Sequence, residues 1–196
     1  FRLELLPRDV KTVGPYKIDR RRLAHVLEQV RDRVGWGMPT PVRPGRRSAR
    51  GVAANVYHAG SYIAMVADIS IADDGSDLRV HRVTTVVDCG IALNPLGVIG
   101  QTESGIAWGL SAALLGRMDF KDDAPVQGNF SDYRVLRIDQ MPELDIVLIE
   151  SSAAPGGFGE HPVPPVAPAI ANAIFAATGK RVRQLPLTAT AIGQIA

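Results

Sequence analysis

Cysteine is almost missing from this sequence: Cys89 is the only one in 196 residues. A lone thiol excludes an internal disulfide framework, and it excludes any zinc or iron–sulfur site built from the thiolates of this chain alone. Long apolar runs are also lacking. No stretch approaches the roughly 18 residues that a membrane-spanning helix requires, so no membrane span is expected. No one sign of charge dominates, since 22 basic residues face 20 acidic ones for a net charge of +2, and this balance argues for no nucleic-acid partner. The chain opens at Phe1 with neither an initiator methionine nor a charged-then-apolar leader, so an upstream stretch is expected to precede it.

Several catalytic templates are absent as well. Gly179-Lys180 closes a helical pattern where a phosphate loop would have to open one. Gly156-Gly157-Phe158-Gly159 lacks the third glycine of a dinucleotide fingerprint, and there is no Gly-x-Ser-x-Gly elbow. The histidines at 25, 58, 81 and 161 have no metal-ligand spacing and read as structural or exposed side chains.

What is present is an ordinary globular composition, 46% hydrophobic and 21% charged, which fits one intimate unit over 1–196. Leu23, Val26, Leu27, Val30 and Val34 recur at helical spacing behind Asp19, a suitable N-cap, and Gly35 stops the pattern. Arg20, Arg21 and Arg22 stand at the unfavourable positive end of that helix, where solvation is the plain reading and an acidic neighbour the other. From 36 to 50 the chain is rich in Pro, Gly and Arg and reads as an exposed connector. Its arginines 43, 46, 47 and 50 could contact a polyanion, but no aromatics interleave them as a single-strand binding surface would need; a solvated or subunit-contacting loop is the simpler reading.

Strands are expected at Val52–His58, Tyr62–Ile71 and Leu78–Asp88, the last two forming a hairpin through Asp73-Asp74-Gly75, with shorter ones at Arg117–Lys121, Tyr133–Ile138 and Leu144–Glu150. Asn94-Pro95 opens a helix running to about Leu115. Gly100, Gly105 and Gly109 interrupt it at about 1 kcal/mol each relative to Ala, which suggests close approach of another backbone or a ligand. A last helix is expected from about Pro165 to Gly179. The fold class is α+β, with antiparallel or mixed sheets and packed helices.

One segment stands out chemically. Ala154-Pro155-Gly156-Gly157-Phe158-Gly159-Glu160 is a glycine loop ending in a carboxylate, and the prolines after His161 steer the chain into the last helix. Taken on its own, Glu160 is a cap or a solvated side chain; a general base is the alternative.

Gly157-Phe158-Gly159-Glu160, followed by Pro164-Pro165-Val166-Ala167-Pro168-Ala169-Ile170-Ala171-Asn172-Ala173-Ile174, resembles the closing signature of the xanthine oxidase family of molybdenum hydroxylases. Val87-Asp88-Cys89-Gly90, Asn94-Pro95 and Gln101-Thr102-Glu103-Ser104-Gly105 resemble an earlier signature of the same family, in the right order. Asn129-Phe130-Ser131-Asp132-Tyr133 brings the likeness nearest to the large subunit of isoquinoline 1-oxidoreductase and to aldehyde dehydrogenases without FAD. The resemblance implies the C-terminal part of a molybdopterin-binding domain. It implies Glu160 as general base, Gln101 and Gly159 as cofactor-binding residues, and Glu103 as a support beneath the site, with no protein ligand to the metal. The cofactor implied is molybdenum-molybdopterin, in the cytosine dinucleotide form. The partners implied are the upstream part of the large subunit, a small subunit carrying iron–sulfur clusters, and a small-molecule substrate, an N-heterocycle or an aldehyde, oxidised with water as oxygen source. A non-catalytic assembly module of the same fold is the rival reading. The sequence departs from the family at Glu160-His161-Pro162-Val163, where relatives read Gly-Glu-Pro-Gly, and at Ser104, which replaces a common glycine.

Overall fold

Strand β4 (Ser61–Ala72) is buried along nearly its whole length, and this sets the architecture, because a strand with two apolar faces needs cover on both. The computed structural model describes residues 4, 6–13, 15–57, 60–188 and 191–192. Within them a four-stranded sheet runs in the order β3 (Arg46–Tyr57), β4, β5 (Leu78–Asp88), β8 (Glu143–Leu148). The first three strands are antiparallel neighbours and β8 lies parallel to β5, so the sheet is mixed, as expected.

Helix α1 (Arg20–Arg33) covers one face: Val26, Leu27 and Val30 pack on Tyr62, Ala64, Val66 and Val86. Helices α2 (Pro95–Leu114) and α3 (Val163–Thr178) cover the other, where Ile106, Leu110, Val166, Ile170 and Ile174 meet Met65, Ala67, Ile69, Ile71 and Val83. Alternate β4 residues thus feed the two layers. The small-residue face of α3 lets it lie almost on the sheet. A Cβ on Gly51 would stand 2.1 Å from the Ala169 carbonyl oxygen, and Asn172 Nδ2 donates to the Val52 carbonyl at 2.9 Å.

The three arginines opening α1 are not left to water. Arg20 pairs with Asp9, Arg21 with Asp19, and Arg22 forms two hydrogen bonds to Asp88, at 2.8 and 2.6 Å. Asp19 caps the helix by accepting the Arg21 N–H at 3.0 Å. Ahead of it stands a hairpin of β1 (Val10–Val13) and β2 (Tyr16–Asp19), which no pattern in the sequence announces.

The connector expected over 36–50 ends earlier, since Arg46–Arg50 form the first half of β3 and pair with Asp68–Ala72 of β4. Small inward residues, Ala49, Gly51 and Ala53, give too weak a hydrophobic alternation to outweigh the arginines in the composition. Two of those arginines turn inward to aspartates, Arg50 Nε donating to Asp68 at 2.6 Å and Arg46 Nη1 to Asp77 at 2.8 Å, while Arg47 stays exposed. Tyr133–Ile138 is likewise not a strand but loop leading into a 3-10 turn at Ile138–Gln140. The position beside β5 that it could have taken belongs to β8. Of Arg117–Lys121 only Phe120–Lys121 is extended, as β6 in a two-residue hairpin with β7 (Ala124–Pro125). Asp122 and Asp123 take positive φ angles of 52° and 62° at its turn, the conformation that hairpin turns demand. His58 lies outside the described residues.

Candidate functional site

After β8 the chain does not leave the sheet but runs along the end of β5. The Ile149 N–H donates to the Val87 carbonyl at 2.8 Å, Ile91 N–H to the Ala153 carbonyl at 3.0 Å, and Gly156 N–H to the Cys89 carbonyl at 2.8 Å. These bonds stitch the Val87-Asp88-Cys89-Gly90 segment to the start of the glycine loop, two stretches that the sequence keeps far apart. The fit permits no side chain at two points. Gly90 has φ +73°, and its Cβ would stand 2.1 Å from the Ala154 carbonyl oxygen; a Cβ on Gly156 would stand 2.4 Å from the Gly60 carbonyl oxygen.

Helix α2 begins beside this seam. Asn94 caps it by accepting the Gly97 N–H at 3.1 Å, with Pro95 in the first turn. Two of its three interrupting glycines explain themselves: Cβ atoms on Gly105 and Gly109 would strike Pro162 and Val166 at 2.8 and 2.5 Å, so the glycines let α2 and the start of α3 touch. Gly100 faces open space instead. The next residue, Gln101, is exposed and lines a cleft of about 290 Å³ with Cys89, Asn94, Gly97, Gly156 and Phe158. The structure therefore brings Gln101 and the glycine loop to one site.

Gly159 and Glu160 do not line that cleft. Glu160 is exposed, and among the described residues its carboxylate makes no hydrogen bond or ion pair. It is not a helix cap. α3 has no side-chain cap, the Val163 N–H is taken by the Glu160 backbone carbonyl at 2.9 Å, and Pro164 and Pro165 carry no N–H. The usual donors at a helix start are thus absent. Glu103 is exposed on α2.

Sequence reasoning took His161 for a structural or surface residue; it is buried, 4% exposed. Its ring stacks on Phe158 with centroids 4.9 Å apart and meets Tyr57 edge-on at 4.8 Å. An aromatic three residues before a histidine was the available signal. Asp88 was quoted only within a motif, yet it anchors the seam: besides Arg22 it accepts the Gly90 N–H at 3.0 Å. Burial pushes the Asp88 carboxyl up, but Arg22 and the Gly90 N–H outweigh it and hold the group below its ordinary 3.8. Burial also pushes the Cys89 thiol up, which keeps it protonated and unsuited to ligating metal.

Among the described residues no three His, Cys, Asp or Glu side chains converge as a metal site, and no helix is long and apolar enough to cross a membrane. The cleft, lined by the Gln101 and Asn94 amides, backbone and apolar side chains, fits a polar ligand held by hydrogen bonds. Gln101 offers an amide that both donates and accepts, and beside the cleft, outside its lining, Gly100, Gly157 and Gly159 leave backbone open where a Cβ would meet nothing within 4 Å. Such open backbone admits a bulky polar group.

The sequence matches the molybdopterin cofactor-binding domain family over residues 34–142. It is 32% identical over 190 residues to the membrane-bound aldehyde dehydrogenase (pyrroloquinoline-quinone) of Gluconacetobacter polyoxogenes, covering 95% of this chain and 25% of that protein. It is 34% identical over 143 residues to isoquinoline 1-oxidoreductase subunit beta of Brevundimonas diminuta, covering 73% of this chain and 18% of that one. The aldehyde oxidoreductase of Desulfovibrio gigas superposes with a TM-score of 0.60 at 28% identity, over 69% of this chain and 15% of that structure. The chain thus spans a quarter or less of the length of these relatives.

Proposed function

The chain belongs to the molybdopterin cofactor-binding domain family, as found in molybdenum-binding subunits of the xanthine oxidase type, and we propose that it forms one wall of the active site of a molybdenum-dependent oxidoreductase. The reaction we assign is hydroxylation of an N-heterocycle or oxidation of an aldehyde, with water as oxygen source. One observation carries this reading: Gln101 and the glycine loop, which belong to separate motifs, face each other across a single cleft.

When bound, the molybdenum cofactor supplies the two-electron oxidation, which no side chain here could perform. Gln101 would hold its pterin part through the side-chain amide, and Gly159 would let it approach the backbone. Glu160 takes up the proton released as the oxygen nucleophile forms, at a carboxylate oxygen that no other donor occupies. Phe158 shields the cleft from the side of the loop. The cytosine dinucleotide form of the cofactor, an upstream part of the large subunit and a small subunit bearing iron–sulfur clusters complete the proposed enzyme. The one thiol of this chain, buried and held protonated, leaves cluster ligation to a partner.

The rival is a non-catalytic assembly module, and one observation favours it: Gly159 and Glu160 stand outside the lining of the cleft. Elemental and pterin analysis of the native protein with its co-purifying chains separates the two. Molybdenum with a pterin nucleotide, and turnover lost in Glu160→Gln, is the expected result. A complete native assembly without molybdenum, or one that carries pyrroloquinoline quinone instead, overturns the proposal.

A further inference from the structure

His161 directly follows Glu160, and the structure gives it more to do than fill space. Its ring is buried between Phe158, stacked at 11° between planes, and Tyr57, edge-on at 78°. Nδ1 of the ring accepts the N–H of Gly159 at 3.2 Å. The residue's own carbonyl accepts from Asn55 Nδ2 at 3.4 Å, and the next residue, Pro162, is buried against Gly105 of helix α2. On the far side, the Glu160 carbonyl is held by the Val163 N–H at 2.9 Å. Three backbone groups around Glu160 are therefore tied down, the Gly159 N–H, the Glu160 carbonyl and the His161 carbonyl, and two of the ties pass through His161, while the Glu160 carboxylate makes no hydrogen bond among the described residues.

From this arrangement we infer that His161 is the positioning residue for Glu160: its imidazole, wedged between Phe158 and Tyr57, fixes the Gly159 peptide and so the direction in which the carboxylate leaves the chain. The inference rests on the proposed role of Glu160 as base. The same ring supports Phe158 from behind, and Phe158 lines the cleft, so one side chain sets both the wall and the base. The chemistry explains why a histidine serves. A phenyl ring would fill the slot between the two aromatics but has no acceptor for the Gly159 N–H. An asparagine offers its Oδ1 close to the place of Nδ1 but lacks the ring. The two functions of His161, packing and acceptance of one hydrogen bond, can therefore be separated by substitution.

The test uses the intact native protein and two variants, His161→Phe and His161→Asn. Hydrogen exchange of the segment 157–163 is measured by mass spectrometry, with the amides of β4 in the same data reporting whether the core is folded. His161→Phe is expected to speed exchange at Gly159 by about tenfold or more and to leave β4 unchanged, while His161→Asn stays within about threefold of the parent at Gly159. In turnover of the holoenzyme, His161→Phe lowers kcat by about tenfold with KM nearly constant, because misplacement of a base is felt in the transition state, and His161→Asn recovers most of the loss. Unchanged Gly159 exchange in His161→Phe overturns the inference, as does equal exchange in the two variants with β4 protected. If Glu160→Gln keeps full turnover, the base reading fails on its own, and the exchange data still decide whether His161 holds the peptide.

Discussion

The arginines of α1 and β3 and the polar residues around the cleft differ in where their hydrogen bonds go. Arg22, Arg46 and Arg50 are part-buried, and each ends on an aspartate of the same chain, Asp88, Asp77 and Asp68. Gln101 and Glu160 are exposed and end on nothing among the described residues. A composition count places both groups on the surface. The difference lies in cost: an arginine drawn under a helix must be paired or it destabilises the fold, whereas an exposed amide or carboxylate can stay uncommitted at almost no cost and remain available to a ligand. The first group holds the sheet and the seam behind the cleft; of the second, Gln101 lines the cleft and Glu160 stands outside its lining.

The sharpest way to break this division is to exchange the consequences. Glu160→Gln is expected to lower turnover of the assembled enzyme by about 10²–10⁴-fold, the range for loss of a general base, with unfolding free energy within about 0.5 kcal/mol of the parent, as for other exposed sites. Arg22→Ala should do the reverse in kind. It strands Asp88, 3% exposed, and should cost about 3–5 kcal/mol in urea unfolding. Its pH dependence has a definite sign. The Asp88 carboxyl is held below 3.8 in the folded chain, so the stability it brings is fully present above that ordinary value and is lost as the pH falls through the lower folded value. In Arg22→Ala the buried carboxyl loses the partner that outweighs burial and takes up a proton at a higher pH than in the parent, so the gap between the two should be widest at neutral pH and narrow as the pH falls. A gap that does not change with pH would show that Arg22 contributes through packing and not through its pair with Asp88.

How far the sequence foretold this depends on distance along the chain. The ends of β5, the Asp19 cap of α1 and the Gly179 stop of α3, with its φ of 73°, are local signals and were legible. The burial of β4 on both faces fits its apolar stretch Tyr62–Ala67, which Asp68 and Ser70 then interrupt. The strand character of Arg46–Arg50 was hidden, because it depends on aspartates elsewhere in the sequence that neutralise the arginines; so was the loop at Tyr133–Ile138, which depends on β8 taking the place beside β5. In the site, Gln101 and the glycine loop were found as motifs, but nothing local announces that Cys89 and Gly156 share a hydrogen bond. The path of Glu160 past the cleft depends on His161 packing against Tyr57, a contact that no spacing rule could supply.

The glycines sharpen the same comparison at a smaller scale. Gly156→Ala would drive a Cβ to 2.4 Å from the Gly60 carbonyl, whereas Gly159→Ala meets nothing within 4 Å. The first is expected to cost about 1–3 kcal/mol, the usual range for overpacking, read as a lower melting temperature. The second should leave stability unchanged and weaken retention of the cofactor. If Gly156→Ala melts like the parent, the seam between the two motifs is looser than the hydrogen bonds across it imply.

The smallest expected effect is also the most specific to the cleft. Gln101→Ala removes one exposed side-chain amide that has no internal partner, so its stability should match the parent by thermal and urea unfolding. If the amide serves the pterin, the variant loses one hydrogen bond to a neutral heterocycle, worth about 0.5–1.5 kcal/mol, or roughly two- to tenfold in cofactor affinity. Molybdenum and pterin retained after dialysis would fall by that factor, while Glu103→Ala, exposed on the same helix but outside the cleft lining, would not move it. Equal retention in all three proteins would place the cofactor elsewhere. A fall in both variants would trace the effect to helix α2 as a whole, since only a residue that touches the ligand can separate cofactor retention from its neighbour on an equally exposed surface.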